Sequence, residues 1–213
     1  MRESNLPFKE HHPIVNLVDA TSPRTLCHGA LISPRFVLTT TRCAEKTKRV
    51  FIHYGAHNSS DWFANARDHI EPMDNKIALI ELDRDVKDST NVLVCLYSSI
   101  SRQDAVNYTT RIAHTDSFVR LEGIRVQYQI NTPLRVLYYC SRYLHHGHFT
   151  SPGDVLVIKN EDERFYRVMG VLENELDCKP FDYFYEREKA VQAINVEIYL
   201  PWIEDVVWGE ITN

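Results

Sequence analysis

The sequence predicts an all-β protein of two lobes, with helix confined to its C-terminal end. Short segments rich in β-branched and aromatic residues alternate with polar turns along most of the chain. A polar stretch at residues 98–110 separates two strand-rich halves of similar size. The predicted strands are Leu31–Thr39, Val50–Tyr54, Ile77–Leu82, Arg125–Ile130, Asp154–Lys159, Arg164–Leu172 and Ala193–Ile198.

Local patterns support the individual elements. Arg125–Ile130 alternates polar and apolar residues with period two, as a half-buried strand does. The polar residues 160–163 predict a hairpin turn between the two strands that flank them. Residues 199–211 predict a helix because Pro201 stands near its first turn and its apolar residues form one face. That face comprises Trp202, Ile203, Val206 and Val207.

Composition and charge exclude several functional classes. The chain has 213 residues, of which 44% are hydrophobic and 25% charged, as in ordinary globular domains with a sizeable core. The net charge of -5 is spread without long runs, which argues against a nucleic-acid partner. No uninterrupted apolar run approaches the roughly 18 residues of a membrane span. Charges in the first 15 residues leave no signal peptide visible.

The cysteines indicate an oxidising compartment. All five are widely spaced, and none forms the C-x-x-C pair typical of structural zinc or of thioredoxin-like redox sites, so disulfides are expected. The sequons at Asn58 and Asn107 fit a glycosylated surface. An odd number of cysteines in an extracellular chain predicts a bond that leaves the chain or a free thiol.

Several motifs resemble those of the trypsin/chymotrypsin family. Residues 27–43 read C-H-G-A-L-I-S-P-R-F-V-L-T-T-T-R-C, which is similar to the family segment C-G-G-x-L-I-x-x-x-x-V-L-T-A-A-H-C. Residues 75–79 resemble N-D-I-A-L, and residues 94–96 resemble the P-x-C-L that follows it. Gly170-Val171 with Cys178 resembles G-I-x-S-W-G…C, and residues 199–203 resemble the Y-x-x-W-I helix.

The resemblance implies two six-stranded antiparallel β-barrels with an active-site cleft between them and a C-terminal helix. In this chain the first barrel is expected at about residues 12–97 and the connection at about 98–110. The second barrel is expected at about 111–198, and the helix at about 199–211.

The family's chemistry requires a serine nucleophile, a histidine base and an orienting aspartate. The resemblance places Arg42 at the histidine and Lys76 at the aspartate. Residues 150–157 are the best match to G-D-S-G-G-P-L-V, which places Pro152 at the serine. A guanidinium is not a general base, and proline has neither a hydroxyl nor the N–H that an oxyanion hole needs. All three catalytic positions are therefore expected to be degenerate.

Other functional positions also depart from the family pattern. Thr150 stands at an oxyanion-hole glycine, and Ser151 stands at the aspartate that pairs with the new N-terminus on activation. His146 falls near the base of the substrate pocket. The S-W-G segment that binds a substrate strand reads Glu173, Asn174 and Glu175. We expect substrate recognition to be lost as well.

The resemblance also suggests how the cysteines pair. Cys27 and Cys43 are expected to form a disulfide that closes the loop bearing Arg42. Cys178 has no cysteine at its usual partner position, and Cys140 is a possible alternative partner. Cys95 is left over and is expected either to bond an upstream segment or to remain unpaired.

The sequence therefore predicts a secreted, non-catalytic serine protease homologue. It would act as a cofactor, decoy or scaffold by binding a protease, an inhibitor or another component of an extracellular proteolytic cascade. No cofactor or metal is expected. One alternative is an active endopeptidase with a rearranged site, using Ser151 with His148 or His53. Another is a zinc-binding protein that uses residues 145–148 together with Cys140.

Overall fold

The computed structural model describes eleven segments of the chain, which comprise fourteen strands and three short helical segments. The described residues are 14–19, 25–52, 62–87, 93–98, 108–114, 117–119, 125–127, 132–139, 151–160, 167–174 and 188–209. The strands are β1 (Ile14–Val18), β2 (Thr25–Leu31), β3 (Phe36–Thr40), β4 (Arg49–Ile52), β5 (Trp62–Ile70), β6 (Ile77–Leu82), β7 (Cys95–Leu96), β8 (Tyr108–His114), β9 (Ser117–Val119), β10 (Arg125–Gln127), β11 (Leu134–Tyr139), β12 (Val155–Asn160), β13 (Arg167–Leu172) and β14 (Glu188–Asn195). The helical segments are α1 (Thr41–Ala44), a 3₁₀ helix (Val196–Tyr199) and α2 (Leu200–Trp208).

The first six strands form a closed antiparallel barrel in the order β1-β2-β3-β6-β5-β4, and β4 returns to pair with β1. Large apolar side chains at alternate strand positions fill its interior, because successive side chains of a strand point to opposite faces. Leu17, Leu31, Ile52, Ile80 and Leu82 are among those with no exposed surface. This barrel agrees with the first of the two predicted barrels.

The remaining strands form one second sheet in the order β10-β11-β14-β13-β12-β8-β9, with β7 pairing parallel to β13. The prediction for this lobe was a closed six-stranded barrel. Within the described ranges the sheet has eight strands, and no ladder joins β9 to β10. A separate core lies along the sheet and includes Leu134, Val136, Leu156, Leu172 and Ala193. The mostly β fold class with a short C-terminal helix is confirmed.

The two lobes share a third apolar core. Ala30, Leu38 and Leu79 of the barrel belong to the same buried cluster as Val155 and Val171 of the second sheet. Helix α2 closes this cluster with Ile203, which has no exposed surface. None of the helices that the structure describes is long and apolar enough to cross a membrane.

In two of the predicted strands, a side chain that binds the main chain changes where the observed strand ends. Leu31–Thr39 is not one strand: β2 ends at Leu31 and β3 begins at Phe36. Between them, Ser33 Oγ accepts hydrogen bonds from the amides of Arg35 and Phe36, at 3.2 and 3.0 Å. Such a local bond favours a turn over a strand.

The predicted strand Ala193–Ile198 is likewise wrong at its C-terminal end. Strand β14 starts earlier, at Glu188, and stops at Asn195. The Asn195 side chain accepts a hydrogen bond from the Glu197 amide at 3.2 Å and thereby begins the 3₁₀ helix. Helix α2 ends at Trp208, three residues before the predicted end. Strand β6 coincides with the predicted strand at residues 77–82.

Two described strands, β7 and β8, lie at the two ends of the predicted connection at residues 98–110. Strand β8 begins at Tyr108, so the last three residues of that range belong to the second sheet. Strand β7 lies inside the range predicted for the first barrel, yet it pairs with β13 of the second sheet.

Cys27 and Cys43 form a disulfide with their Cα atoms 5.9 Å apart, as the resemblance implies. It ties β2 to α1, and both half-cystines are buried. Cys95 is a free, exposed thiol. Cys140 and Cys178 lie outside the described residues, so their pairing stays a prediction.

We expect the double substitution C27A/C43A to lower the free energy of unfolding by about 2–4 kcal/mol, because the open chain regains the entropy that the cross-link removes. Urea denaturation monitored by fluorescence measures this. Cys95→Ala, which removes an exposed thiol, should change the free energy by less than about 0.5 kcal/mol. Equal losses in both variants would contradict a stabilising role of the disulfide.

Tyr199 joins the 3₁₀ helix to the loop before β6, since its hydroxyl donates a hydrogen bond to Asp74 Oδ2. Burial, this hydrogen bond and the negative charges of Asp74 and Glu173 raise the pKa of Tyr199 above its usual value of 10. Above about pH 10 the unfolded chain releases this proton while the folded chain keeps it, so stability is lost as the pH rises.

We therefore expect the advantage of the native protein over Tyr199→Phe to shrink by about 1 kcal/mol per pH unit above pH 10. Urea unfolding of the two proteins at pH 7.5 and pH 11 measures the difference. Because both proteins share every other titrating group, a difference that stays constant between the two pH values would show that Tyr199 does not carry this dependence.

Candidate functional site

Arg42 lies on α1, a single helical turn directly after β3. Thr40 begins the turn, because its Oγ1 accepts a hydrogen bond from the Cys43 amide at 3.3 Å. The buried disulfide of Cys43 anchors the other end of this turn to β2. The Arg42 side chain is exposed between these two anchors.

Lys76 lies beside this turn, directly before β6. Its carbonyl oxygen accepts a hydrogen bond from the Thr41 amide at 3.2 Å. Thr41 also donates its hydroxyl to the carbonyl oxygen of Ile77 at 3.0 Å. Thr41, which precedes Arg42, is thus bound to the carbonyl oxygens of Lys76 and Ile77, and the Lys76 side chain is exposed.

Pro152 reaches the same region from the second lobe. Its carbonyl oxygen accepts a hydrogen bond from the His28 amide at 2.9 Å. The His28 carbonyl oxygen in turn accepts from Thr39 Oγ1 at 2.7 Å, three residues before Arg42 in the chain. The structure therefore brings the segments that carry Arg42, Lys76 and Pro152 to one place, where the barrel meets the second sheet.

Gly153 lies in close contact with the main chain of β2. A Cβ atom added to it would lie 1.8 Å from the His28 carbonyl oxygen and 2.8 Å from Thr39 Oγ1. Its φ of +88° lies in the left-handed region that favours glycine. Only glycine fits here, so residues 151–154, which we call the 151–154 turn, lie directly on the main chain of β2.

Sequence reasoning missed one pair of residues at this place. His28 Nδ1 lies 2.6 Å from Asp154 Oδ1, with side chains only 5% and 0% exposed. The other oxygen of Asp154 accepts a hydrogen bond from the Ser151 amide at 2.7 Å. The sequence did contain a signal for this pair: His28 and Asp154 both stand where the resembled motifs C-G-G and G-D-S-G-G have glycine.

Leu172, the residue before the predicted substrate segment, is bonded to the 151–154 turn. Leu172 accepts a hydrogen bond from the Gly153 amide at 2.9 Å and donates its own amide to the Asp154 carbonyl at 2.8 Å. Glu173, which follows, is partly buried, and Asn174 is exposed. Ser151 is partly buried. The other predicted residues lie outside the described ranges: Thr150, His146, Glu175, Asn58, Asn107, His53, His145 and His148.

The assembled groups limit the chemistry that these positions support. The side chains of Arg42 and Lys76 offer hydrogen-bond donors and no acceptor, and Pro152 contributes only its carbonyl oxygen to hydrogen bonding. Among the described residues, no three histidine, cysteine or acidic side chains are grouped so that they could hold a metal ion. The predicted zinc segment at residues 145–148 lies outside those residues.

We expect Gly153→Ala to lower the free energy of unfolding by about 2–5 kcal/mol, because the methyl group combines backbone strain with a clash against main-chain atoms. Gly209→Ala is the matched control. At Gly209 the φ is -62°, and the nearest atom to an added Cβ is a flexible Asp205 oxygen at 3.1 Å. Chemical denaturation should show little loss in this control, and similar losses in both variants would contradict the close approach at Gly153.

Comparison with known proteins connects this geometry to a family. Over 53 residues the chain is 47% identical to the snake venom serine protease serpentokallikrein-1 of Protobothrops mucrosquamatus, which covers 25% of the chain and 20% of that protein. It is 34% identical over 98 residues to the thrombin-like enzyme flavoxobin of Protobothrops flavoviridis, an alignment that covers 40% of the chain and 37% of that protein. It is 24% identical over 131 residues to chymotrypsin of Phaedon cochleariae, an alignment that covers 56% of the chain and 47% of that protein. The aligned part thus spans less than half the length of each of these relatives.

The family model described as Trypsin matches residues 7–147, which is about two thirds of the chain. The match includes the disulfide loop, Arg42, Lys76 and the whole first barrel. Together with the closed six-stranded barrel and the C-terminal helix, it shows that this chain belongs to the trypsin family of serine proteases.

Proposed function

We propose that this chain is a non-catalytic member of the trypsin family that acts by binding another protein in an extracellular proteolytic pathway. The observation that carries the proposal is the position of Arg42. It lies on α1 between the Cys27–Cys43 disulfide and the main-chain bond to Lys76, at the position that the family motif assigns to the histidine base.

The catalytic cycle of the family begins when an imidazole takes the proton of the serine hydroxyl. A guanidinium offers five N–H donors and no acceptor, so Arg42 does not perform this step. A neighbouring aspartate normally stabilises the imidazolium. Lys76 brings a positive charge to that position, which would oppose an imidazolium.

Pro152 removes two further contributions. It has no hydroxyl to attack a carbonyl carbon, and it has no amide hydrogen to stabilise the oxyanion. Its carbonyl oxygen already accepts the His28 amide hydrogen. Loss of a single oxyanion donor costs about 10²–10³ in rate in other enzymes, so the three substitutions together predict no measurable turnover.

The scaffold nevertheless has the properties of a rigid binding protein. Three buried apolar clusters and one disulfide support the described strands. Function on such a scaffold lies in the connecting loops and the cleft between the lobes. We propose a protease, a protease inhibitor or another cascade component as the partner, with this chain acting as cofactor, decoy or scaffold.

Two observations support an extracellular location. The Cys27–Cys43 disulfide is typical of an oxidising compartment, and one relative is a venom protein. The exposed thiol of Cys95 is accessible for a disulfide to an upstream segment. We also propose glycosylation at Asn58 and Asn107. The pocket positions His146, Glu173, Asn174 and Glu175 are proposed to be degenerate, so that the chain does not bind a substrate as an active protease does.

We expect the purified protein to show neither labelling by a fluorophosphonate probe nor turnover of peptide substrates, under conditions in which chymotrypsin at equal concentration reacts fully. Labelling is read by in-gel fluorescence and by mass spectrometry of the modified peptide. Ser151→Ala is the decisive control for an active enzyme with a rearranged site. Labelling of the native protein that this substitution abolishes would overturn the proposal.

The binding half of the proposal has its own test. The protein, immobilised and incubated with extracellular fluid, should retain a protease, an inhibitor or a cascade component, and soluble protein should displace it in a concentration-dependent manner. Stoichiometric zinc in the purified protein, lost in H146A/H148A, would instead favour the metal-binding alternative.

A further inference from the structure

His28 and Asp154 place a pair of ionisable side chains in the interior between the two lobes. His28 belongs to β2 of the barrel, and Asp154 directly precedes β12 of the second sheet, 126 residues away in the chain. With 5% and 0% of their side chains exposed, both groups have lost nearly all contact with water. Buried polar groups of this kind are tolerated only when they are paired and hydrogen-bonded.

Asp154 holds the 151–154 turn through both its side chain and its main chain. Oδ1 meets His28 Nδ1 at 2.6 Å, and Oδ2 accepts the Ser151 amide at 2.7 Å. Its own amide donates to the Ser151 carbonyl at 3.0 Å, which closes the turn. Its carbonyl oxygen accepts from Leu172 at 2.8 Å, which fixes the turn to β13.

His28 holds the same turn from the barrel side with its main chain as well as its side chain. Its amide donates to Pro152 at 2.9 Å, and its carbonyl oxygen lies against Gly153. The position of His28 is itself set by the ladder of β2 with β1, where it stands opposite Asn16. One barrel residue thus contacts three consecutive residues of the second lobe, Pro152 to Asp154.

We propose that His28 and Asp154 form a latch between the lobes that locks the 151–154 turn in a single conformation against the barrel. Without either partner, the turn opens locally while the barrel stays folded. The latch is independent of whether the chain hydrolyses peptides, because it acts on the position of the turn and not on a reacting group.

Hydrogen exchange followed by NMR tests this latch in the full chain. In Asp154→Asn, which keeps the shape of the side chain but replaces one of its two acceptor oxygens with an NH₂ group, the amides of His28 and Ser151 should exchange at least about 10-fold faster. Amides of the paired strands β3 and β6, such as that of Ile80, should change by less than about twofold. His28→Gln should give the same pattern.

Coupling between the two residues distinguishes a latch from two separate packing contacts. In the double variant H28Q/D154N, the acceleration at Ser151 should be no larger than in either single variant, because the interaction is already lost. Arg67→Gln is the matched control, since it breaks the ion pair with Glu81 on the barrel surface, where Arg67 is 59% exposed. It should leave the exchange of the turn unchanged.

Three results would overturn the latch. They are unchanged exchange at His28 and Ser151 in Asp154→Asn, equal acceleration across the whole barrel, and additive effects in the double variant. If the single variants do not fold, H28G/D154G removes both side chains of the pair, so that neither of them is left buried without the other. This variant should fold with a rapidly exchanging turn, and a turn that stays protected in it would also overturn the latch.

Discussion

The contact between the 151–154 turn and the main chain of β2 is the constraint on which the site depends. Gly153 approaches the His28 carbonyl so closely that no side chain fits there, and its backbone adopts a conformation that favours glycine. The His28 amide bonds to Pro152 in the same place. Because this contact fixes one lobe against the other, it also determines where Pro152 lies relative to the barrel residues.

On the barrel side, threonine hydroxyl groups and one disulfide hold the main chain of the site. Thr39 bonds to the His28 carbonyl, Thr40 begins the turn that carries Arg42, and Thr41 bonds to Ile77. Three consecutive threonines therefore connect β2, α1 and β6. The printed hydrogen bonds that hold the main chain of the site involve neither the Arg42 nor the Lys76 side chain.

The success of the strand predictions depended on how strongly each inward face is hydrophobic. Strand β6 was predicted with its observed ends, because five of its six residues are buried. Strand β5 was missed, because its inward positions are small alanines such as Ala64 and most of its other residues face solvent. The turn between β2 and β3 was missed because Ser33 interrupts an otherwise continuous apolar run by binding the main chain.

The sequence by itself determined the family resemblance, the Cys27–Cys43 pairing that the resemblance implied, and the residue types at positions 42, 76 and 152. These properties depend on residue identity and on short motifs, which are readable along the chain. Only the tertiary structure decided that His28 meets Asp154, since the two stand 126 residues apart and no local pattern joins them. A buried pair of this kind arises when the packing of two lobes excludes water from both side chains at once, and that exclusion is a property of the folded molecule.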